Sequence, residues 1–298
     1  MDNIEVFNDS LRRIRENQVL LEQTEAAARN TCIVNEGFQS QKSPYFSDIH
    51  VCFEENMTLI SAYRFADKGI KTAVLNFANP VEPGGGVLRG ASAQEEYLCR
   101  ASNLYPCLIS THARAFYDYH NEIMKNDQFS SMFLASDKLI YSPGITFFRE
   151  DKNYYPGTEC SPSQEYSEHW RSIDVITCAA PYFSGAGCTL PNDDLHHLFC
   201  QRIQNILEAA IDHDVEALVL GAFGCGAFHN PPSVVADAFQ TVLMKDRYLH
   251  AFSEVVFAVK RSSWFCENIE AFEIAFRDFP PKKEYVFSEE RNKRRFFE

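Results

Sequence analysis

The stretch from Lys71 to Arg100, KTAVLNFANPVEPGGGVLRGASAQEEYLCR, constrains the fold more than any other part of the chain. Thr72 to Phe77 is a short apolar run of β-forming residues closed by Asn79-Pro80, and it reads as a buried strand that stops abruptly. Pro83 is followed by three glycines, Gly84 to Gly86. Glycine admits positive φ and lets a ligand come close to main-chain N–H groups, so the triplet reads as an anion-binding turn. Seven residues, Val87 to Ala93, separate it from Gln94, Glu95 and Glu96 at the start of a helix that runs through Tyr97 and Leu98. Each feature has a plainer reading by itself. A glycine run can be a tight turn, and acidic residues are common in a first helical turn, where the macrodipole favours them. Their spacing is what suggests a site.

The chemistry of such a site follows from charge. Bare N–H groups in a glycine turn bind anions, most often phosphate. Glu95 and Glu96 would repel phosphate, so they must face another part of the ligand. A substrate with phosphate at one end and an acid-labile bond at the other satisfies both halves. Protonation of a leaving oxygen while an oxocarbenium-like sugar forms is the standard need of glycoside hydrolysis.

With 298 residues, the chain is long enough to bury a substantial core as one large domain or two small ones. Its 28 basic residues against 41 acidic ones, net charge −13, argue against broad attachment to nucleic acid or anionic lipid. A polyanionic substrate would have to be met by a local pocket of oriented amides. The N-terminal residues lack the layout of a secretory signal, and no apolar run approaches a membrane span. Ten cysteines without a CxxC pair fit reduced, mostly buried thiols, hence a cytoplasmic or nuclear setting. The nine histidines show no paired metal spacing, so neither a metal site nor a cofactor is expected.

Along the chain, residues 4–30 read as one or two amphipathic helices, and Val34 to Asp48 as loop. A strand at Ile49 to Phe53, a helix at Met57 to Lys68 ended by Gly69, and the strand at Thr72 to Phe77 give a strand, helix, strand order. That order points to a parallel or mixed sheet with helices on its faces. Leu98 to Asn126 is helical, with a break expected at Pro106. Strand pieces flank Ser142-Pro143-Gly144, Asp151 to His169 reads as a long surface loop, and Ile173 to Cys178 as a strand. A long helix at Leu195 to His213 feeds a strand at Ala217 to Leu220. That strand runs into a second glycine loop, GAFGCGAFHNP from Gly221, followed by a helix, a strand at Val255 to Val259 and a helix from Trp264 to Phe276. Open α/β sheets bind ligands at the carboxyl ends of their strands, so the two glycine loops are expected to close on one ligand. Cys225 has no accompanying His/Asp constellation to make it a nucleophile. From Pro280 the residues are basic and read as a mobile tail, with solvation the plain explanation and targeting or nucleic-acid contact the sharper one.

The GGG, seven residues, QEE pattern resembles the signature of bacterial-type poly(ADP-ribose) glycohydrolases, a branch of the macrodomain superfamily. The resemblance extends to LNFANP, YLCRASNLYPCL, YSPGITFFR, VITCAAP and GAFGCGAFHNPP. It implies a three-layer α/β/α macrodomain over residues 45–279 with a mixed central sheet, preceded by a helical extension over 1–44 and followed by the basic tail at 280–298. It implies hydrolysis of ribose–ribose bonds in poly(ADP-ribose), without metal. By motif position, Glu96 is the acid/base, held protonated by its neighbour and by burial. Glu95 holds the ribose hydroxyls, Asn79 the terminal ribose, and Gln94 orients the acids. Gly84, Gly85 and Gly86 would lie along the diphosphate and that ribose, Gly224, Cys225, Gly226 and Ala227 would grip the diphosphate from the other side, and Phe228 would pack on the ligand. Phe223 and Ala93 depart from residues common in the family without touching the chemistry. A non-catalytic ADP-ribose reader, or an enzyme removing single ADP-ribose groups from ADP-ribosylated proteins, would share most of these contacts.

Overall fold

The apolar run at Thr72–Phe77 becomes an interior strand of an eight-stranded sheet. The structure is a computed structural model and describes residues 2–46, 49–126, 132–150, 165–183, 190–259, 267–279 and 282–286. In chain order the elements are α1 (Asn3–Glu16), α2 (Gln18–Asn30), β1 (Cys32–Val34), β2 (His50–Glu54), α3 (Thr58–Ala66), β3 (Thr72–Phe77), α4 (Gln94–Ala101), α5 (Leu104–Leu108), α6 (Thr111–Asn126) and β4 (Met132–Phe133). They continue with β5 (Leu139–Glu150), β6 (Glu165–Cys178), β7 (Tyr182–Phe183), α7 (Asn192–Asp212), β8 (Ala217–Leu220), α8 (Pro232–Leu243), α9 (Asp246–Leu249), β9 (Glu254–Ala258), α10 (Glu267–Ala275) and β10 (Lys282–Val286).

The strand order is β1-β5-β6-β3-β8-β9-β2-β10, with β4 and β7 in a separate two-stranded ribbon. The neighbours from β6 to β10 are parallel, and β1/β5 and β5/β6 are antiparallel. The sheet is therefore mixed, as expected, and α/β in class.

Side chains alternate across it with the period of two that a pleated strand imposes. Leu75, Leu218, Val255 and Phe257 face one core with Phe199, Phe239 and Phe272 from α7, α8 and α10. Val74, Val175, Val219 and Val256 face the other with Leu98, Phe116 and Phe65 from α4, α6 and α3. Helices thus cover both faces, and each fully buried aliphatic or aromatic side chain contributes about 1.5–3 kcal/mol.

Five expectations need correction. The helical segment over 1–44 is not a mere extension, because Cys32–Val34 pairs with β5 and Phe7 lies in the second core against Tyr105. The segment from Pro280 is not all tail: Lys282–Val286 pairs in parallel with the whole of β2. Its residues from 287 onward lie outside the described residues. Pro106 does not break the helical region. It sits in the first turn of α5, where its missing N–H would have no helical partner, and the breaks fall at residues 102–103 and 109–110. Finally, residues 165–169 belong to β6 rather than to a surface loop, the rest of which, 151–164, lies outside the described residues. The two strand pieces around Ser142-Pro143-Gly144 are one strand, β5, with a register shift there; Gly144 adopts φ +66° and its N–H donates to Asp174.

Candidate active site

The site begins where two parallel strands part. β3 stays paired with β6 through Phe77, but with β8 only through Val74. Beyond that point Leu75 and Phe77 turn main-chain groups toward a strand that has left. Gln94 takes its place: the Phe77 N–H donates to its Oε1 (2.9 Å), and its Nε2 donates to the Leu75 carbonyl (2.7 Å). One side-chain amide thus completes the hydrogen bonding of the strand end, as buried main-chain groups require, and fixes the first residue of α4 to the sheet. Thr58 adds a contact to the same Nε2 (3.3 Å).

The next two residues of α4 are buried, Glu95 at 3% exposure and Glu96 at 7%. Both oxygens of Glu95 are engaged. The Asn79 N–H donates to Oε2 (2.7 Å), and Asn76 Nδ2 approaches Oε1 (3.4 Å). Glu96 accepts from the Gly86 N–H at Oε1 (2.7 Å), whereas its buried Oε2 has no partner among the described residues. The glycine turn exists to let these carboxylates in. Gly84 and Gly85 adopt φ +71° and +58°, and a Cβ on Gly85 would lie 2.5 Å from Glu96 Oε1 and 2.9 Å from Glu95 Oε2. The Gly85 N–H closes the turn onto Glu82, and the Gly84 N–H is a donor toward Glu95. In this structure the anions served by the first glycine turn are the protein's own acids.

Burial pushes the Glu95 carboxyl up to about 8, and the charge of Glu96 adds to the rise; the Asn79 amide, Asn76 and the Gly84 amide pull the other way. The neighbour of the residue that the sequence reading held protonated thus binds a proton more tightly than an ordinary carboxyl does. Asn79 also differs in detail. Its Oδ1 accepts the N–H groups of Val81 and Glu82, so it caps the turn that leads into the glycines.

The second glycine loop follows β8. Gly224 takes φ +74°, with the Cβ of Ala180 only 2.4 Å from where its own would stand. Asn230 locks the loop: its Nδ2 donates to the carbonyls of Pro181 (2.8 Å) and Gly224 (2.9 Å), and its N–H donates to Gly224 as well. The N–H groups of Gly224, Gly226, Ala227 and Phe228 have no partner among the described residues, which makes this loop a nest of free donors. Tyr182 meets the Phe228 ring edge to face at 5.2 Å.

A cavity of about 740 Å³ joins the two halves at the carboxyl ends of the parallel strands. Asn79 and the α4 residues Gln94, Glu95 and Glu96 line it from one side, and Gly224, Gly226, Ala227 and Phe228 of the second loop from the other. The three glycines at 84–86 and Cys225 do not line it; the Cys225 thiol is buried under its own loop, 3.7 Å from the Phe223 carbonyl. Sequence reasoning missed Asn76 and Asn230. A single polar residue inside the apolar run TAVLNF was the available signal for the first; for the second there was none. Among the described residues, no group of three His, Cys, Asp or Glu is placed to hold a metal.

An α/β macrodomain-like fold with a buried acid pair on one wall of a cleft and a nest of amides on another is the class defined by these features. Within it, residues 6–150 match the family model for the microbial-type PARG catalytic domain, and this stretch carries both acids. No curated protein matches the chain in sequence. Among solved structures, the poly(ADP-ribose) glycohydrolase of Thermomonospora curvata is similar at 28% identity, over 92% of this chain and 99% of that one, with a TM-score of 0.77. The same enzyme bound to the inhibitor ADP-HPD gives 0.76. The Deinococcus radiodurans enzyme in complex with ADP-ribose is also 28% identical, over 85% of this chain and 96% of that one, with a TM-score of 0.69. The resemblance to bacterial-type poly(ADP-ribose) glycohydrolases holds by sequence and by fold.

Proposed function

We infer that the protein is a poly(ADP-ribose) glycohydrolase that cleaves ribose–ribose bonds and releases ADP-ribose. The observation that carries this reading is the unpartnered, buried Oε2 of Glu96 in the same cavity as the free amides of Gly224 and Gly226 to Phe228. The amides hold the diphosphate, Phe228 packs on the ligand, and Asn79 offers its Nδ2 to the terminal ribose, since its Oδ1 is taken. Gly84, Gly85 and Gly86 act at one remove, by seating the acids.

Burial keeps a proton on Glu95, next to Glu96, into the neutral range. On binding, the proton passes through Glu96 to the bridging oxygen. The C1–O bond breaks, its electron pair leaves with that oxygen, and an oxocarbenium-like ribose remains. The Glu96 carboxylate then takes a proton from water as the water oxygen bonds to C1, restoring the acid. Glu95, fixed at both oxygens, orients the ribose hydroxyls.

The test is incubation with poly(ADP-ribose) and detection of free ADP-ribose. Glu96→Gln should abolish release while leaving ADP-ribose affinity within about threefold, a change well under one tenfold step of 1.4 kcal/mol. A reader would release nothing even as wild type, and a mono-ADP-ribosyl hydrolase would act on singly modified protein and leave polymer intact. No helix among the described residues is long and apolar enough to cross a membrane. Seven cysteines in the described residues are free thiols, which suits a reducing cytoplasmic or nuclear setting, with polymer or ADP-ribosylated protein rather than nucleic acid as partner.

A further inference from the structure

We propose that Arg89 forms a second anion subsite, just outside the cavity beside Glu96, for the phosphates of the polymer unit that leaves when the bond is cut. The proposal rests on the glycohydrolase reading above. Among the described residues the cavity lining holds no Lys or Arg, and the amides of the second glycine loop are the donors that face the unit inside. A polymer cut at Glu96 has its next unit outside, carrying two further phosphates past a pair of acids on a chain of net charge −13.

Among the described residues, Arg89 is a cation placed there. It lies in a short helical turn, Val87–Arg89, between the glycines and the acids. Its Nη2 is 3.8 Å from where a Cβ on Gly86 would stand, and that same point is 3.5 Å from Glu96 Oε1. The guanidinium is held in a forked contact with Glu82, Nη1 to Oε1 at 3.1 Å and Nη2 to Oε2 at 2.5 Å. Glu82 is in turn steadied by its N–H on Asn79 Oδ1 (3.0 Å).

Both side chains are open to solvent, Arg89 at 65% and Glu82 at 46%. An exposed pair of this kind is worth about 0–1 kcal/mol, so a diphosphate, which offers the same two-pronged geometry and two negative charges to the carboxylate's one, can displace Glu82. Glu82 then serves to park the guanidinium beside Glu96 until the polymer arrives.

The experiment measures binding in the Glu96→Gln background, where turnover does not interfere, using poly(ADP-ribose) of defined length and ADP-ribose as separate probes. Arg89→Gln should weaken polymer binding about tenfold, the loss of one charge-assisted contact, and leave ADP-ribose binding unchanged. Glu82→Gln should tighten polymer binding, because it frees the guanidinium. A structural role for the ion pair predicts that both variants shift polymer affinity in the same direction, and that result, or no shift at all, overturns the proposal. Release of ADP-ribose by the wild type is scored separately, so failure of the subsite is distinguishable from failure of the glycohydrolase reading; absence of polymer binding by the Glu96→Gln protein overturns both.

Discussion

At the scale of single residues, the site depends on where one proton sits. The Glu95 carboxyl binds its proton more tightly in the folded protein, at about 8 against an ordinary 4.5, chiefly because it is buried. Its contribution to stability is therefore complete below about pH 4.5 and is lost as pH rises through about 8. Thermal unfolding followed from pH 5 to 9 should show a falling Tm for the wild type and a flatter profile for Glu95→Gln; parallel profiles would contradict this assignment. Turnover should decline over the same upper limb as the Glu95 proton is lost. Gly85→Ala makes a second demand at this scale. Its Cβ would enter the space of Glu96 Oε1 in a left-handed backbone conformation, which costs about 1–3 kcal/mol. Displacing the acid by about 1 Å should lower kcat roughly a hundredfold, with ADP-ribose affinity preserved because the amide nest lies in the other loop. The acid pair and the two glycine loops were legible as patterns. The partner of the first glycine turn was not, because spacing shows that donors are available without showing which anion they meet.

At the scale of elements, α1 does more than its polar sequence suggests. Its first turn is closed by a reciprocal cap between Asp2 and Glu5, Ser10 donates to the Arg100 carbonyl at the end of α4, and Asn3 donates to Gly90 between the glycines and the acids. Phe7 packs edge to face at 5.0 Å on Tyr105, the side chain that a Cβ on Gly84 would strike. Phe7→Ala should cost about 3–5 kcal/mol in chemical denaturation. It should also lower turnover through the loosened turn, whereas a helix attached only at the surface would give a change near zero. The amphipathic pattern made α1 visible as a helix. It could not show that the apolar stripe is buried against the catalytic turn, since that contact joins residues far apart in sequence. Gln94 illustrates the same limit: its place in the signature was clear, but its use as a substitute for a missing strand depends on where β8 diverges.

For the molecule as a whole, the sheet depends on strands drawn from both ends of the described chain. β10 pairs with all five residues of β2, so cutting after Phe279 should lower Tm and promote association through the bared strand, detectable by light scattering on heating. The mixed sheet and its helical layers followed from the alternation of apolar segments. The edge strand did not, because KKEYV reads as charged and lacks the apolar face that marks an interior strand. Its position also bears on how the protein is made. On the ribosome β2 is made second among the ten described strands and β10 tenth, more than 200 residues later, so one border of the nascent sheet waits for its neighbour while the other strands are made. During that interval the growing polypeptide carries an open row of main-chain donors and acceptors, the kind of surface on which chaperones and misassembly compete.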